Sequence, residues 1–594
     1  MAAEENTRGH WLTYHKMFNL IFNNMTFKQT VVTLAMCLPT LFAAAQATKA
    51  PDNWFTLDPT KDKVQGTGGD EALARLKAQG KKGQTIIVAV LDSGVDYKHE
   101  DLKDVMWTNP GEIAGNNIDD DKNGYIDDMH GWNFLGGKDG QNVEHETLEL
   151  TREYVRLSKR FKGTDPKKLS GADAAEYKYF EQVKTDFEDQ RREAENGKAQ
   201  IDKQIDKVAD AFTLVEKSVG KKEFGVDDLG KVNAGTNTEL KDAVTLLQRV
   251  MANGVTSRAD LEEQRKQASE YFDGQLAYNL NPDYNPRTMV GDNPEDLRSR
   301  NYGNNDYRGP DASHGTHVAG IIAAKRDNGV GINGVADNVR IMSVRCVPDG
   351  DERDKDVANA IYYAVDNGAS IINMSFGKGY SPQKAYVDAA MQYAADHDVL
   401  LVHAAGNDSE NNDTDPNFPN DAYKTPVKAG LFKKEKNVPT WMEIGALSWK
   451  TGEKRVASFS NYGKKNVDLF SPGVAIYSTT PDNKYAAFQG TSMAAPAAAG
   501  VAAILRSYYP DLSARQVKDI LVKSVLAQEG EVIKPGTTEK IKFSELSVSG
   551  GVVSSTGAVA LAQNTKGKKV KKAMWREAGM GKMATKKDKV GPKA

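Results

Sequence analysis

Three short segments combine residue types able to run nucleophilic acyl chemistry: Val88-Ala89-Val90-Leu91-Asp92-Ser93-Gly94, His314-Gly315-Thr316-His317-Val318-Ala319-Gly320 and Gly490-Thr491-Ser492-Met493-Ala494-Ala495-Pro496. A serine hydroxyl is a weak nucleophile at neutral pH and needs a base within hydrogen-bond reach, and histidine is the side chain whose pKa suits that work. Ser492 is therefore the candidate nucleophile and His314 the candidate base. A neutral imidazole must hold its proton on one nitrogen while offering the other to serine. A carboxylate such as Asp92 enforces that arrangement and stabilises the imidazolium that follows. Gly490 permits close backbone approach, and the Ala-rich run 494–504 predicts a thin helix behind the serine. Ser492 then sits at the helix N-terminus, where main-chain N–H groups face a developing negative charge.

Each residue has a plainer reading when taken singly. A serine before an Ala-rich run is usually an N-cap, an aspartate after a strand starts a turn, and His-x-x-His can be two surface histidines. Their joint appearance in the order Asp, His, Ser outweighs those readings. A zinc protease spaces its histidines four apart around a Glu, whereas His314 and His317 lie three apart without one. The α/β-hydrolase elbow is also absent, since Gly490-Thr491-Ser492-Met493-Ala494 lacks the closing Gly and the acid and histidine precede the serine.

A second cluster, Asp119-Asp120-Asp121-Lys122-Asn123-Gly124-Tyr125-Ile126-Asp127-Asp128, sets oxygen donors at alternating positions before a glycine turn, as hard-cation loops do. Calcium is expected there, on the side chains of Asp119, Asp121 and Asn123, the Tyr125 carbonyl and a closing carboxylate from Asp127 or Asp128. His130 stands where an EF-hand needs Glu, and a plain Asp-Asn-Gly turn is the competing reading.

At the three catalytic segments the sequence closely resembles the subtilisin-like serine proteases (subtilases), over roughly 85–139 and 284–563. The resemblance implies an endopeptidase that hydrolyses peptide bonds in protein or peptide substrates through an acyl-enzyme. It implies an α/β, subtilisin-like, doubly wound fold: a mostly parallel sheet with helices on both faces. Ala404-Ala405-Gly406-Asn407 resembles the segment that supplies the oxyanion-hole asparagine, so Asn407 takes that role. Asn373-Met374-Ser375-Phe376-Gly377 resembles the edge that pairs with extended substrate backbone, placing Ser375, Phe376 and Gly377 in substrate binding.

Two departures accompany the likeness. The residues between Ala47 and Asp92 are fewer than the roughly 60 of a marginal independent domain, so a standard folding prodomain is not expected there. Asp92 and His314 stand 222 positions apart, most of them in an insertion that could cap the cleft, restrict substrates or help folding. The rival reading is a catalytically idle binding or adhesion protein on the same fold, presenting the insertion to a partner. Against it, a protein freed from catalysis has no physical need to keep Asp92, His314, Ser492 and Asn407 together.

The elements that must position these residues are legible as apolar runs. Residues 85–91, 340–347, 370–374 and 399–405 read as strands buried on both faces and alternate with helical stretches 354–367 and 381–396, which predicts a parallel sheet covered on both sides. Ligands bind beyond the carboxyl ends of such strands, where Asp92, Ser375 and Asn407 stand. Residues 144–283 form a charged, helical inserted subdomain between a first catalytic part, 48–143, and a second, 284–563. Within it Ile201, Ile205, Val208, Phe212, Val215 and Val219 mark an a/d seam too short for a long coiled coil, so an intramolecular hairpin is expected.

An apolar segment, 31–45, preceded by Lys28 and followed by Ala45-Gln46-Ala47, reads as a secretory signal peptide within residues 1–47, and Met25 would start a leader of ordinary length. Export to the periplasm, cell surface or medium is expected, and no later run is apolar enough to make the mature protein integral to a membrane. Of two cysteines, Cys37 leaves with the leader, and Met36 before it is a poor fit to a lipoprotein signal. Cys346 alone remains, so no internal disulfide forms, and its apolar setting reads as core. The 594 residues carry a net charge of −3, which argues against nucleic acid as the main partner. The exception is the basic tail, 564–594, expected to be disordered and solvated.

Overall fold

The computed structural model describes residues 50–252, 255–428 and 434–568; the leader, Cys37 and the tail beyond Lys568 lie outside them. Nine strands form one sheet: β1 Ile86–Asp92, β2 Gly131–Asn133, β3 Val339–Arg345, β4 Ile371–Met374, β5 Leu400–Ala404, β6 Trp441–Leu447, β7 Leu469–Pro472, β8 Leu526–Ala527 and β9 Gly551–Val552. Their order is β8-β9-β7-β6-β5-β4-β1-β3-β2, and every neighbouring pair is parallel except the edge pair β8–β9.

Both faces of β1 are buried, as its continuous apolar run requires. Val88 and Val90 join one core, with α6 Ser313–Ala323 and α9 Thr491–Tyr508; Ala89 and Leu91 join the other, with α7 Asp354–Asp366 and α8 Lys384–Asp396. Trp54 and Phe55 are also buried in the first core, beside α1 Gly69–Ala78, so the residues ahead of β1 are part of the catalytic body. Cys346 is buried and free, and burial raises its thiol pKa well above the ordinary value. That suits packing rather than chemistry.

Between β2 and β3 the regular elements from 149 to 279 are all helical, chiefly α2 Glu149–Arg160, α3 Gly171–Val219, α4 Thr238–Ala252 and α5 Arg258–Gly274. Ile205, Val208, Phe212 and Val215 of the a/d seam are buried, with Ile201 and Val219 partly so, against Leu247 and Val250 of α4 and Leu261 of α5. The seam therefore closes within the chain. A second apolar cluster nearer the sheet joins Leu150, Leu157, Phe187 and Phe272 to Tyr380, which belongs to the catalytic body.

Candidate active site

The C-terminal end of β1 delivers Asp92, whose side chain is 2% exposed. Its Oδ1 accepts from the Ser93 main-chain N–H at 2.8 Å and lies 2.7 Å from His314 Nδ1. A carboxylate only accepts, so the imidazole proton sits on Nδ1 and the Nε2 lone pair is left for a donor. Burial pushes the His314 pKa down, but the charge and hydrogen bond of Asp92 outweigh it and hold the pKa above the ordinary histidine value. The His314 side chain is nonetheless 39% exposed. Gly315 lets α6 come this close: a Cβ there would lie 2.1 Å from the Gly94 carbonyl and 3.1 Å from Asp92 Cβ.

His317, one turn on, points into the core. Its Nε2 faces the carbonyls of Ile476 and Ala486 at 3.0 and 3.1 Å, its ring stacks on Phe488, and burial lowers its pKa to about 3. It is a neutral packing residue.

Ser492 is the second residue of α9, among the first-turn N–H groups that have no intrahelical acceptor. Its hydroxyl donates to the Ser375 carbonyl at 3.1 Å, and the Ser375 hydroxyl donates back to the Ser492 carbonyl at 2.9 Å. No hydrogen bond among the described residues joins Ser492 to His314; catalytic bonds of this kind are often long or misaligned before substrate binds and tighten in the complex. Asn373 donates its Nδ2 to the Ser375 hydroxyl at 3.0 Å, tying the end of β4 to the same pair.

Asn407 follows β5 beyond Gly406. Its Oδ1 accepts from the Thr491 N–H at 2.9 Å and the Thr491 hydroxyl at 3.1 Å, while Thr491 Oγ1 accepts from the Gly406 N–H at 3.1 Å. With both Thr491 donors on the amide oxygen, the oxygen faces the start of α9 and the nitrogen is the donor end of the side chain. Thr491 is a positioning residue that sequence reading passed over, because only the fold brings it to Asn407. Across the cleft, Phe376 and Gly377 are half-buried, and a Cβ on Gly377 would meet the Asn417 side chain at 2.4 Å.

In the acidic loop the six expected ligands divide. Asp119 accepts from the N–H groups of Asn123 and Gly124 at 3.0 and 2.8 Å, and Asp121 from Asn123 N–H at 3.0 Å. Tyr125 is buried, and its N–H donates to Asn123 Oδ1 at 2.8 Å. Asp127 binds the N–H groups of Gly115 and Asn117, and Asp128 is buried against Asn109 and the Tyr363 hydroxyl. The carboxylates that converge are Asp119, Asp121 and Glu112, with one oxygen from each lying within 4.8 Å of the others. An all-oxygen, acidic group of this size suits a hard divalent cation. Glu112 was missed because it precedes the motif and reaches it only by chain reversal.

A family model described as "Subtilase family" matches residues 83–558. The chain belongs to the subtilase family. The match runs across the insertion and takes in Asp92, His314, Asn407 and Ser492. Among curated relatives, a thermophilic serine proteinase from Bacillus sp. (strain AK1) is 38% identical over 213 residues, covering 36% of this chain and 47% of that protein. Subtilisin DY from Bacillus licheniformis is 35% identical over 211 residues, 35% of this chain and 68% of its own length. A cell wall-associated protease from Bacillus subtilis (strain 168) is 37% identical over 230 residues, 39% of this chain and 23% of that protein. This subtilase thus matches about half the length of the first of these relatives.

Proposed function

We propose that this subtilase is a serine endopeptidase acting through an acyl-enzyme, with Ser492 as nucleophile, His314 as base and Asp92 as the orienting acid. The observation that carries the reading is the 2.7 Å contact of buried Asp92 with His314 Nδ1, which fixes the tautomer a serine nucleophile needs. In the first step Ser492 Oγ bonds to the scissile carbonyl carbon as its proton passes to His314 Nε2. The tetrahedral oxyanion takes hydrogen bonds from Asn407 Nδ2 and the Ser492 N–H. The imidazolium gives its proton to the departing amine as the C–N bond breaks, leaving an ester on Ser492. Water, deprotonated by His314, then releases the acid product. Ser375, Phe376 and Gly377 hold extended substrate backbone beside the serine.

Calcium is proposed at Asp119, Asp121 and Glu112 as a structural clamp on a loop with no disulfide to fix it, supported by the convergence of the three carboxylates. Export through the 1–47 leader is proposed from the sequence; among the described residues no helix is long and apolar enough to cross a membrane. Hydrolysis of an unfolded protein substrate, followed by mass spectrometry of a rapidly quenched reaction, tests the mechanism: an acyl adduct on the peptide containing Ser492 is expected. Turnover that persists in Ser492→Ala would overturn it.

A further inference from the structure

The inserted helices meet the catalytic body at two loops that follow strands β3 and β4, the second of which begins with the segment assigned to substrate pairing. Glu149 opens α2 and is buried; its Oε2 lies 2.8 Å from Lys378 Nζ, which also meets Asp354 Oδ1 of α7 at 2.8 Å and donates to the Glu352 carbonyl at 2.7 Å, and Lys378 is 1% exposed. Lys378 follows Gly377 directly, so the residue that carries the buried ammonium adjoins the proposed pairing edge. Two residues on, the Tyr380 hydroxyl donates to Asp186 of α3, and its ring packs in the apolar cluster formed by α2, α3 and α5. On the other loop the Glu149 N–H donates to Asp351 Oδ2 at 2.8 Å, and the Arg152 guanidinium donates to the Asp351 carbonyl at 3.1 Å. The insertion keeps a separate core around Phe212 and Leu247, so these contacts are not what folds its far end.

We propose that the base of the insertion is a clamp on the substrate-pairing edge, with Glu149 and Lys378 as positioning residues for extended peptides. The clamp rests on the endopeptidase reading above. Main-chain pairing between an edge and a peptide needs the edge carbonyls and N–H groups held in register over several residues. The segment 375–377 is fixed at one end by the Ser375–Ser492 pair and at the other by the main-chain pair of Lys378 with Phe418 and by the side chains of Lys378 and Tyr380. A buried ammonium cannot drift without stranding its carboxylates, which makes this second anchor stiff.

The test compares Lys378→Met and Tyr380→Phe with wild type, each normalised to its content of fluorophosphonate-reactive serine. Two substrates are used: an extended peptide with about four residues before the scissile bond, and a short ester with none. For Lys378→Met, KM for the extended peptide is expected to rise about tenfold, the loss of roughly one main-chain hydrogen bond, with kcat within about twofold and ester hydrolysis unchanged. Tyr380→Phe shifts KM the same way by less, and carries the test if Lys378→Met does not fold. Equal losses on both substrates, or an unchanged KM in both variants, overturn the clamp while the endopeptidase reading stands. Wild-type protein that neither labels nor cleaves removes that reading and the clamp with it.

Discussion

Ser492 and Ser375 exchange hydrogen bonds: the Ser492 hydroxyl donates to the Ser375 carbonyl at 3.1 Å, and the Ser375 hydroxyl donates to the Ser492 carbonyl at 2.9 Å. The second bond pins the first turn of α9 to the end of β4, so Ser375 holds the backbone of Ser492. Replacing Ser375 by Ala leaves the carbonyl contact and removes the return bond, together with the oxygen that accepts from Asn373 Nδ2. A fall in kcat of about fivefold is expected, the worth of one neutral hydrogen bond. Single-turnover acylation rates would check it, and an unchanged rate would show that α9 needs no such tether.

Asn407 offers a sharper loss. Its amide oxygen is occupied by Thr491, so its nitrogen is the donor proposed for the oxyanion. Asn407→Ala should cost about 3 kcal/mol in the transition state, lowering kcat by 10²–10³ with little change in KM. Thr491→Val, which keeps the N–H bond to Asn407 but loses the hydroxyl, should fall between it and wild type. A KM effect in place of a kcat effect would put Asn407 in ground-state binding instead.

The pH dependence follows from His314. The neutral imidazole is the active form, and the Asp92 carboxylate holds its pKa above the ordinary value despite burial. Activity is therefore lost as pH falls, with the acid limb of kcat/KM centred above about 6.5. In Asp92→Asn the raising charge is gone, so the limb moves to lower pH while kcat drops about 10⁴-fold through the wrong tautomer. A limb that stays in place in this variant would mean another group sets it.

Removing calcium should act on stability. With free calcium about 100-fold above Kd, binding adds about 2.7 kcal/mol, and EGTA should lower Tm by a few degrees. Glu112→Gln and Asp119→Asn should each blunt the difference between calcium and EGTA. Identical melting curves in calcium and in EGTA for the wild type would leave Glu112, Asp119 and Asp121 as an ordinary acidic turn.

Much of this was legible in the sequence because it is local. The apolar run ending at Asp92 is a strand in its own right, and α9 follows from its small residues. The a/d seam from Ile201 to Val219 carries its period on its face. What was hidden depends on chain segments far apart. Thr491 orients Asn407 across 84 positions, and Lys378 meets Glu149 across 229, a pairing that no local period encodes. The short antiparallel pair of β8, at the sheet edge, and β9 beside it, of two residues each, carries too few side chains for an alternating pattern. His317, whose three-residue spacing from His314 already departs from the zinc-protease pattern, is buried against Phe488.

The central claim is that Ser492 is an activated nucleophile, and fluorophosphonate labelling of the purified protein beside Ser492→Ala tests it most directly. Stoichiometric labelling of wild type, none of the Ser492→Ala variant and strongly slowed labelling of His314→Ala are expected. Folded wild-type protein that takes no label, or a Ser492→Ala variant that labels as wild type does, would contradict the catalytic assignment.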